Sequence, residues 1–364
     1  MFGFSPSKEQ KMVKDSFSEI VRDFVAQNAH DMDESGEIPA DFIQKTWELG
    51  ACVASVPGEF GGDGMAASPV LNALILEELA AGDMAFAVAA MLPSVFIGPI
   101  LEDGTPEQKK KYLPACCGEK FAPVSLAMTE PFMDFDAAAP KTTAVRKGGS
   151  YVLNGQKCFA AKAKASKVIM VSAMLDGKPQ LFLVDAKNSG MAVGEREKTL
   201  GLYALDTYPV TLTGCEIPAE DRLGGDAGCN HERVLSKTRT AMAAMAAGMC
   251  RASFDFVRKY AKERVQFGEP IAYRQSVAFM IAQMAYETDA IRLLAWKAAS
   301  ALEAGKNGTR ESYLAKLYAA ETGMLVCDFG VQVMGGHGYI RDYPVERYYR
   351  NIRGVAMIEG LATV

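Results

Sequence analysis

One carboxylate near the end of the chain has surroundings suited to a base. Glu359 follows an apolar run that ends in Ile358, and Gly360 comes directly after it. A carboxylate among apolar neighbours loses solvation of its charged form, which strengthens it as an acceptor for a proton from carbon. An apolar-Glu-Gly tripeptide is also common among solvated surface residues, so the assignment of Glu359 depends on the elements that position it.

The first two thirds of the chain contain helices followed by strands. In residues 1–120, five apolar side chains between 17 and 25 fall on one helical face, and residues 105–108 form a capping box with proline at its first helical position. In residues 121–226 the period is that of short strands, with hairpin signals at Asn154-Gly155 and Asp176-Gly177. We therefore predict an N-terminal helical domain and a middle antiparallel β-barrel-like domain.

The last third of the chain, residues 227–364, is helical again. Long helices are predicted at 231–265, 275–304 and 310–334, and a shorter one at 344–352. Four such helices suit an antiparallel bundle. The predicted fold class is thus α+β and multidomain, with a C-terminal four-helix bundle.

Composition excludes several classes of protein. The 364 residues are 49% hydrophobic and 23% charged, with a formal charge of −5, which is typical of a soluble globular chain and unlike a nucleic-acid surface. Eight cysteines without C-x-x-C spacing and three separated histidines predict reduced thiols in a cytoplasmic protein and no metal site. The uncharged run 84–101 contains two prolines, so we expect a buried helix pair there and no membrane span. No signal peptide is evident at the N-terminus.

The chain resembles the acyl-CoA dehydrogenase family over essentially its whole length. The resemblance rests on Ile358-Glu359-Gly360, on the glycine cluster at 332–338, and on the order of the three domains. In that family a glutamate in this context removes the proton α to a thioester carbonyl, while FAD takes the β-hydrogen as hydride. The resemblance implies that Glu359 is the base, that its own N–H polarises the thioester carbonyl, and that an electron-transferring flavoprotein receives the electrons.

Further positions match the family's site for the CoA thioester. Thr238-Arg239, near the start of the first long C-terminal helix, aligns with a family arginine that supports the thioester chain near the base, where a cation suits an anionic ligand. The plain alternative is one more exposed arginine on a helix. The substrate residues implied by the resemblance are Phe135, Ser236, Thr238, Arg239 and Gly360.

A second motif resembles the family stretch that reaches across a dimer interface. In Glu263 to Gly268, followed by Arg274-Gln275, the arginine of relatives contacts the neighbour's FAD pyrophosphate and the phenylalanine packs on its adenine. The glycine cluster completes that site. The residues implied to hold a neighbour's flavin are Arg264, Gln266, Phe267, Gln275, Gln332, Gly335 and Gly336, which predicts a dimer or a dimer of dimers.

The positions for a subunit's own flavin match the family less well. Met128 and Thr129 precede the family's Glu-Pro, but the usual Gly-Ala-Gly-Ser-Asp reads Phe-Met-Asp-Phe-Asp at 132–136, which should crowd and repel a phosphate. The usual Trp-Ile-Thr reads Phe159-Ala160-Ala161, which has lost a hydroxyl. The usual Gly-Thr followed by Gln after the base reads Gly360-Leu361-Ala362-Thr363, and the closing helix of most relatives does not follow in this sequence. We expect FAD to be weakly bound or shared with a partner subunit.

Three interpretations follow. The leading one is an acyl-CoA dehydrogenase that α,β-desaturates a CoA thioester with FAD. The second is a supporting subunit of a heteromeric dehydrogenase that lends Arg264 and Phe267 to a partner's flavin, although such a subunit has no need of Glu359. The third is different chemistry on the same scaffold: a flavin-dependent oxidase, a reaction on a carrier-protein thioester, or an elimination without oxidation. The acyl chain stays open.

Overall fold

The computed structural model describes residues 6–364. The first five residues of the predicted N-terminal domain lie outside this range. The prediction about a signal peptide concerns the start of the chain and so also falls outside the described residues. The N-terminal helices are α1 (Lys8–Ile20), α2 (Ala26–Ser35), α3 (Ala40–Trp47), α4 (Pro69–Gly82), α5 (Met84–Met91), α6 (Ser94–Asp103) and α7 (Pro106–Cys116).

Local signals explain two features of these helices. α7 begins at the predicted capping box, in which Thr105 and Gln108 bond each other's backbone N–H groups. α5 and α6 are the predicted buried helix pair, and every side chain of α5 is buried. No single helix within residues 6–364 is long and apolar enough to cross a membrane, although α5 and α6, bent by 40°, pass that test as a pair.

The middle part of the chain is a seven-stranded sheet. Its strand order is β1-β4-β2-β3-β7-β6, with β5 paired to β4. The pairing is mostly antiparallel, as predicted, but β4 runs parallel to both β1 and β2. The strands are β1 (Ser125–Ala127), β2 (Thr143–Lys147), β3 (Ser150–Ala161), β4 (Val168–Leu175), β5 (Lys178–Asp185), β6 (Met191–Val193) and β7 (Thr207–Pro218).

One of the two predicted hairpin turns is wrong. Asp176-Gly177 joins β4 to β5, as predicted. Asn154-Gly155 instead lies inside β3, at a shift in the register with β7. The Asn154 side chain accepts the N–H of Gly214 at 2.7 Å, and a Cβ on Gly155 would come within 2.5 Å of Thr142. An Asn-Gly pair can form a bulge as well as a turn, and here the pairing with β7 selects the bulge.

The C-terminal helices carry most of the residues that form the site. All four predicted helices are confirmed to within two residues at each end. α8 is the central helix and packs on α4, α9 and α10; Gly248 allows the approach, since a Cβ there would lie 1.9 Å from the carbonyl oxygen of Glu77 on α4. The elements are α8 (His231–Glu263), β8 (Val265–Gln266), β9 (Glu269–Pro270), α9 (Gln275–Glu303), α10 (Thr309–Met334), α11 (Gly336–Tyr339), α12 (Val345–Ile352) and α13 (Gly354–Met357).

Candidate active site

The backbone of Glu359 is held by the middle domain. After α13 the chain turns back onto the end of β1, and Gly360 has a φ of 81° there. A Cβ on Gly360 would lie 3.0 Å from the Cβ of Met128, so this close contact suits glycine. The hydroxyl of Thr129 accepts the N–H of Glu359 at 3.0 Å and donates to its carbonyl at 3.2 Å. The N–H that we expected at the thioester carbonyl therefore donates to Thr129 in this structure.

The carboxylate of Glu359 has one occupied oxygen and one open oxygen. Oε1 lies 3.1 Å from Nε of Arg239 and 2.8 Å from Nζ of Lys316. Within residues 6–364, Oε2 is buried and has no hydrogen-bond partner. The arginine that we expected near this carboxylate is joined by a second cation, Lys316, from another helix. Oε2 accepts no hydrogen bond from the described residues and so keeps its capacity to accept a proton.

Lys316 is the residue of this site that the sequence interpretation missed. Its Nζ also donates to the carbonyl of Ile358 at 2.9 Å. Burial lowers the pKa of Lys316, and the neighbouring Glu359 carboxylate opposes that shift. A signal was present in the sequence, since this lysine interrupts a helical stripe of small and apolar residues that the structure buries: Ser312, Ala315, Ala319, Gly323, Val326 and Cys327.

Arg239 reaches Glu359 from α8. Its guanidinium lies 5.4 Å from the centre of the Tyr313 ring, a cation–π arrangement that helps to orient it. The hydroxyls of Ser236 and Thr238 donate to carbonyls of their own helix, and both side chains are buried. Phe135 is half-buried and packs on the helical core. Of the predicted substrate residues, the structure thus places Arg239 and Gly360 next to the base.

A buried ion pair supports the segment that contains Thr129. Nζ of Lys157 donates to Oε1 of Glu130 at 2.8 Å and to the carbonyl of Met128 at 3.2 Å, so it holds both neighbours of Thr129. Glu130 also accepts the backbone N–H groups of Lys141 and Thr142. Both side chains of the pair are fully buried. Burial lowers the pKa of Lys157 to about 8 even though Glu130 opposes this shift.

A cavity of about 640 Å³ lies between the sheet and the C-terminal helices and reaches Ile358, the residue before Glu359. Phe159 lines one side of it, and Ile358 and Met357 line the other. Phe159 has a φ of 54° at a second register shift in β3, and its N–H donates to the carboxylate of Glu197. Lys198 and Arg353 add positive charge to the lining. An aromatic wall with nearby cations fits the flavin and phosphate groups of FAD.

The other residues predicted for a subunit's own flavin adjoin this region. Met128, Thr129 and Ala161 are all buried. Ala161 lies two residues after Phe159 on β3 and pairs with Thr207, which itself lines the cavity. The structure therefore brings this predicted group close to Glu359.

The residues predicted to serve a neighbour's flavin lie on the surface. Phe267 is 92% exposed at the tip of the β8–β9 hairpin. The hydroxyl of Tyr260 bonds Nδ1 of His337 at 2.8 Å, which ties the glycine cluster to the end of α8, one turn before Arg264. The members of this group are all exposed: Arg264, Gln266, Phe267, Gln275, Gln332, Gly335 and Gly336.

Comparison with known proteins agrees with this architecture. Models of the N-terminal, middle and C-terminal domains of acyl-CoA dehydrogenase match residues 7–120, 125–215 and 231–364. The caffeyl-CoA reductase-Etf complex subunit CarC of Acetobacterium woodii is 35% identical over 98% of this chain and 96% of its own length. Cyclohex-1-ene-1-carbonyl-CoA dehydrogenase of Geobacter metallireducens is 35% identical over 95% and 93%.

A solved structure extends the likeness to three dimensions. Butyryl-CoA dehydrogenase from Megasphaera elsdenii has a TM-score of 0.88 and 28% identity, and the match covers 100% of this chain and 96% of that one. The chain belongs to the acyl-CoA dehydrogenase family. It is an oxidoreductase of the class that dehydrogenates acyl-CoA thioesters with a flavin, as its motifs predicted. The predicted fold is confirmed as well.

Proposed function

We propose that Glu359 is the base that removes the α-proton of an acyl-CoA thioester in an α,β-dehydrogenation. The observation that supports this role most strongly is the buried, open Oε2 of Glu359, beside an Oε1 that is already held. The proton leaves Cα for Oε2. FAD, when bound, would supply the acceptor for the hydride from Cβ, and an electron-transferring flavoprotein would receive the electrons.

The surrounding residues position the base and the substrate. Thr129 keeps the Glu359 backbone in place through two bonds, and Gly360 permits the close contact with Met128. Arg239 and Lys316 both hold Oε1 of Glu359, so that Oε2 is left to take the proton. Because the Glu359 N–H donates to Thr129, polarisation of the thioester carbonyl by this N–H would require that bond to rearrange.

The residues predicted for a subunit's own flavin, which we call the own-flavin group, would hold FAD at the cavity. They are Met128, Thr129, Phe159 and Ala161. We infer that a single chain holds FAD loosely, because Ala161 is buried without a hydroxyl. Two details reduce the crowding and repulsion expected at 132–136. The Phe132 ring is partly exposed, and Asp134 is paired with Lys141 at 2.6 Å.

The exposed residues predicted to serve a neighbour's flavin, which we call the trans group, support an oligomer. Arg264 and Phe267 project from a hairpin at the surface, as residues that serve a neighbour's cofactor must. A second candidate function draws on the same observation: the chain would be the supporting member of a heteromer whose other subunit carries the better flavin site. The relative CarC is named as part of a complex with Etf, which favours an electron-transferring flavoprotein as a partner here.

The role of Glu359 can be tested with a near-isosteric variant. Glu359→Gln keeps the size of the side chain but cannot accept the proton, so we expect desaturation to fall by at least ~10²-fold. Binding of the thioester should persist. The measurement is anaerobic reduction of the flavin by acyl-CoA in stopped flow, with thioester affinity measured separately.

Glu107→Gln, an exposed change on α7, is the matched control and should react like wild type. Turnover of Glu359→Gln within a fewfold of the control would remove Glu359 from the mechanism.

A further inference from the structure

Lys316 makes contacts that α-proton removal by Glu359 does not by itself require. From α10, its Nζ lies 2.8 Å from Oε1 of Glu359 and donates at 2.9 Å to the carbonyl of Ile358. One buried amine therefore holds both the carboxylate and the peptide that precedes it. This is a geometric restraint on the direction of the Glu359 side chain.

Stability alone does not account for a lysine at this position. A buried ammonium pays a desolvation penalty, and replacing buried ion pairs by apolar residues of similar volume is often neutral or stabilising. The neighbouring positions on the same face of α10, Ala315 and Ala319, are small and apolar. A methionine would fill the space of Lys316 without that penalty. The charge of Lys316 is therefore explained by its contact with the Glu359 carboxylate.

The two cations at Glu359 differ in what they restrain. Arg239 comes from α8 and is itself packed on the ring of Tyr313, whereas Lys316 comes from α10 and also bonds the main chain. Both contact Oε1, which leaves Oε2 as the open acceptor. Because the two contacts come from different helices, rotation of the carboxylate would break both.

The charges at the site also change during the reaction. With Glu359 ionised and both cations protonated, the three side chains carry a net charge of +1. Once Oε2 has taken the proton, the net charge is +2. Thr129 contributes an uncharged hydroxyl, and Tyr313, a further titratable group, lies against Arg239. Proton uptake by Oε2 thus raises the net charge of the site by one.

We propose that Lys316 is a positioning residue for the base. Through its contacts with Oε1 and with the carbonyl of Ile358 it fixes the direction of the carboxylate, so that Oε2 is left to take the proton. This inference depends on the proposed role of Glu359 as the base.

The test is kcat and KM for desaturation in two uncharged variants. Lys316→Met removes the charge and the hydrogen bonds, whereas Lys316→Gln keeps a donor for the Ile358 carbonyl and removes only the charge. We expect kcat to fall at least ~10-fold in both variants while KM stays within a fewfold of wild type, because the base loses its restraint from α10 and the thioester keeps its own contacts.

Controls separate this inference from the function on which it depends. Lys316→Arg keeps a charged donor, so it should recover part of the kcat that the uncharged variants lose. If Lys316→Met fails to fold, Lys316→Gln decides the question. A wild-type kcat in a folded, flavin-loaded Lys316→Gln overturns the inference. If Glu359→Gln is inactive at the same time, the proposed base stands; if Glu359→Gln is active, the proposed base fails instead.

Discussion

At the scale of single residues, Thr129 connects the segment of the proposed base to the middle domain. Its hydroxyl bonds both the N–H and the carbonyl of Glu359, although Thr129 and Glu359 are 230 positions apart in sequence. On either side of Thr129, Lys157 holds Met128 and Glu130. This arrangement makes the direction of the base depend on a side chain that comes from another domain.

Replacing that hydroxyl tests the dependence. Thr129→Val keeps the shape of the side chain but leaves a buried N–H and carbonyl without their partner, which costs about 1–3 kcal/mol. We expect kcat for desaturation to fall at least tenfold while the fold persists, as judged by circular dichroism and the free energy of unfolding. Thr129→Ser retains the hydroxyl and should recover most of the activity. Wild-type kcat in Thr129→Val would show that these two bonds do not position the base.

At the scale of elements, α8 brings several functional groups to the core. It begins at His231, which is buried and bonded to the hydroxyl of Ser172 on β4 at 2.9 Å, and Arg239 follows about two turns later. Burial lowers the pKa of His231 to about 4, with Lys157 and Arg239 adding to the shift. A position in the first turn also disfavours an imidazolium ion, because the helix dipole is positive there. His231 is therefore neutral in the folded protein near pH 7.

This burial predicts a specific loss of stability in acid. His231 is protonated near pH 6.5 in the unfolded chain and only near pH 4 in the folded protein. Between these values the unfolded state binds more protons, so the free energy of unfolding decreases as the pH is lowered. By pH 5 the contribution amounts to about 2 kcal/mol relative to pH 7.

His231→Gln should lack this component. Its free energy of unfolding, measured in denaturant at pH 7 and pH 5, should drop less than that of wild type by about this amount. Carboxylates that titrate in the same range are common to both proteins and cancel in the comparison. Equal losses of stability in the two proteins would contradict the assignment of His231.

At the scale of the whole molecule, the exposed surface of the bundle suggests assembly. Phe279, Tyr286 and Leu293 are exposed at seven-residue spacing along α9, and Leu317 and Leu325 are exposed on α10. An apolar stripe of this kind is typical of a helix that packs against another chain. Together with the exposed trans group, it supports a dimer or a dimer of dimers.

Flavin content should reveal how the cofactor site is completed. We expect the singly expressed chain to purify with clearly less than one FAD per chain, because the own-flavin group lacks a hydroxyl at Ala161. Co-expression with a more typical dehydrogenase encoded nearby should restore flavin if the chain belongs to a heteromer. The measurements are absorbance of bound flavin and sedimentation.

Arg264→Gln should lower FAD occupancy further, whereas Arg310→Gln, an exposed change at the start of α10, should leave it unchanged. A lone chain that emerges fully loaded and is reduced by acyl-CoA would rule out the heteromer. A stable monomer that retains flavin would rule out a trans contribution from Arg264 and Phe267.

Local chemistry explains what the sequence predicted correctly. Periodicity and capping signals placed the long helices to within two residues, since these depend on neighbours three and four positions apart. The apolar-Glu-Gly context that marked Glu359 as a candidate base is local in the same sense, and its role stays a prediction. The Asn154-Gly155 signal is equally local, but there the pairing of β3 with β7 decided between a turn and a bulge.

The partners of Glu359 were decided by the tertiary structure. Thr129, Arg239 and Lys316 lie on three separate elements far from Glu359 in sequence, and only the packing of α8 on α10 and of the last segment on β1 brings their polar atoms to within 3.2 Å. No short-range pattern reports such a contact. The sequence by itself thus determined which residue could act as a base, and the packing of the domains determined which cations and which hydroxyl hold it, because contacts across that packing depend on the whole fold.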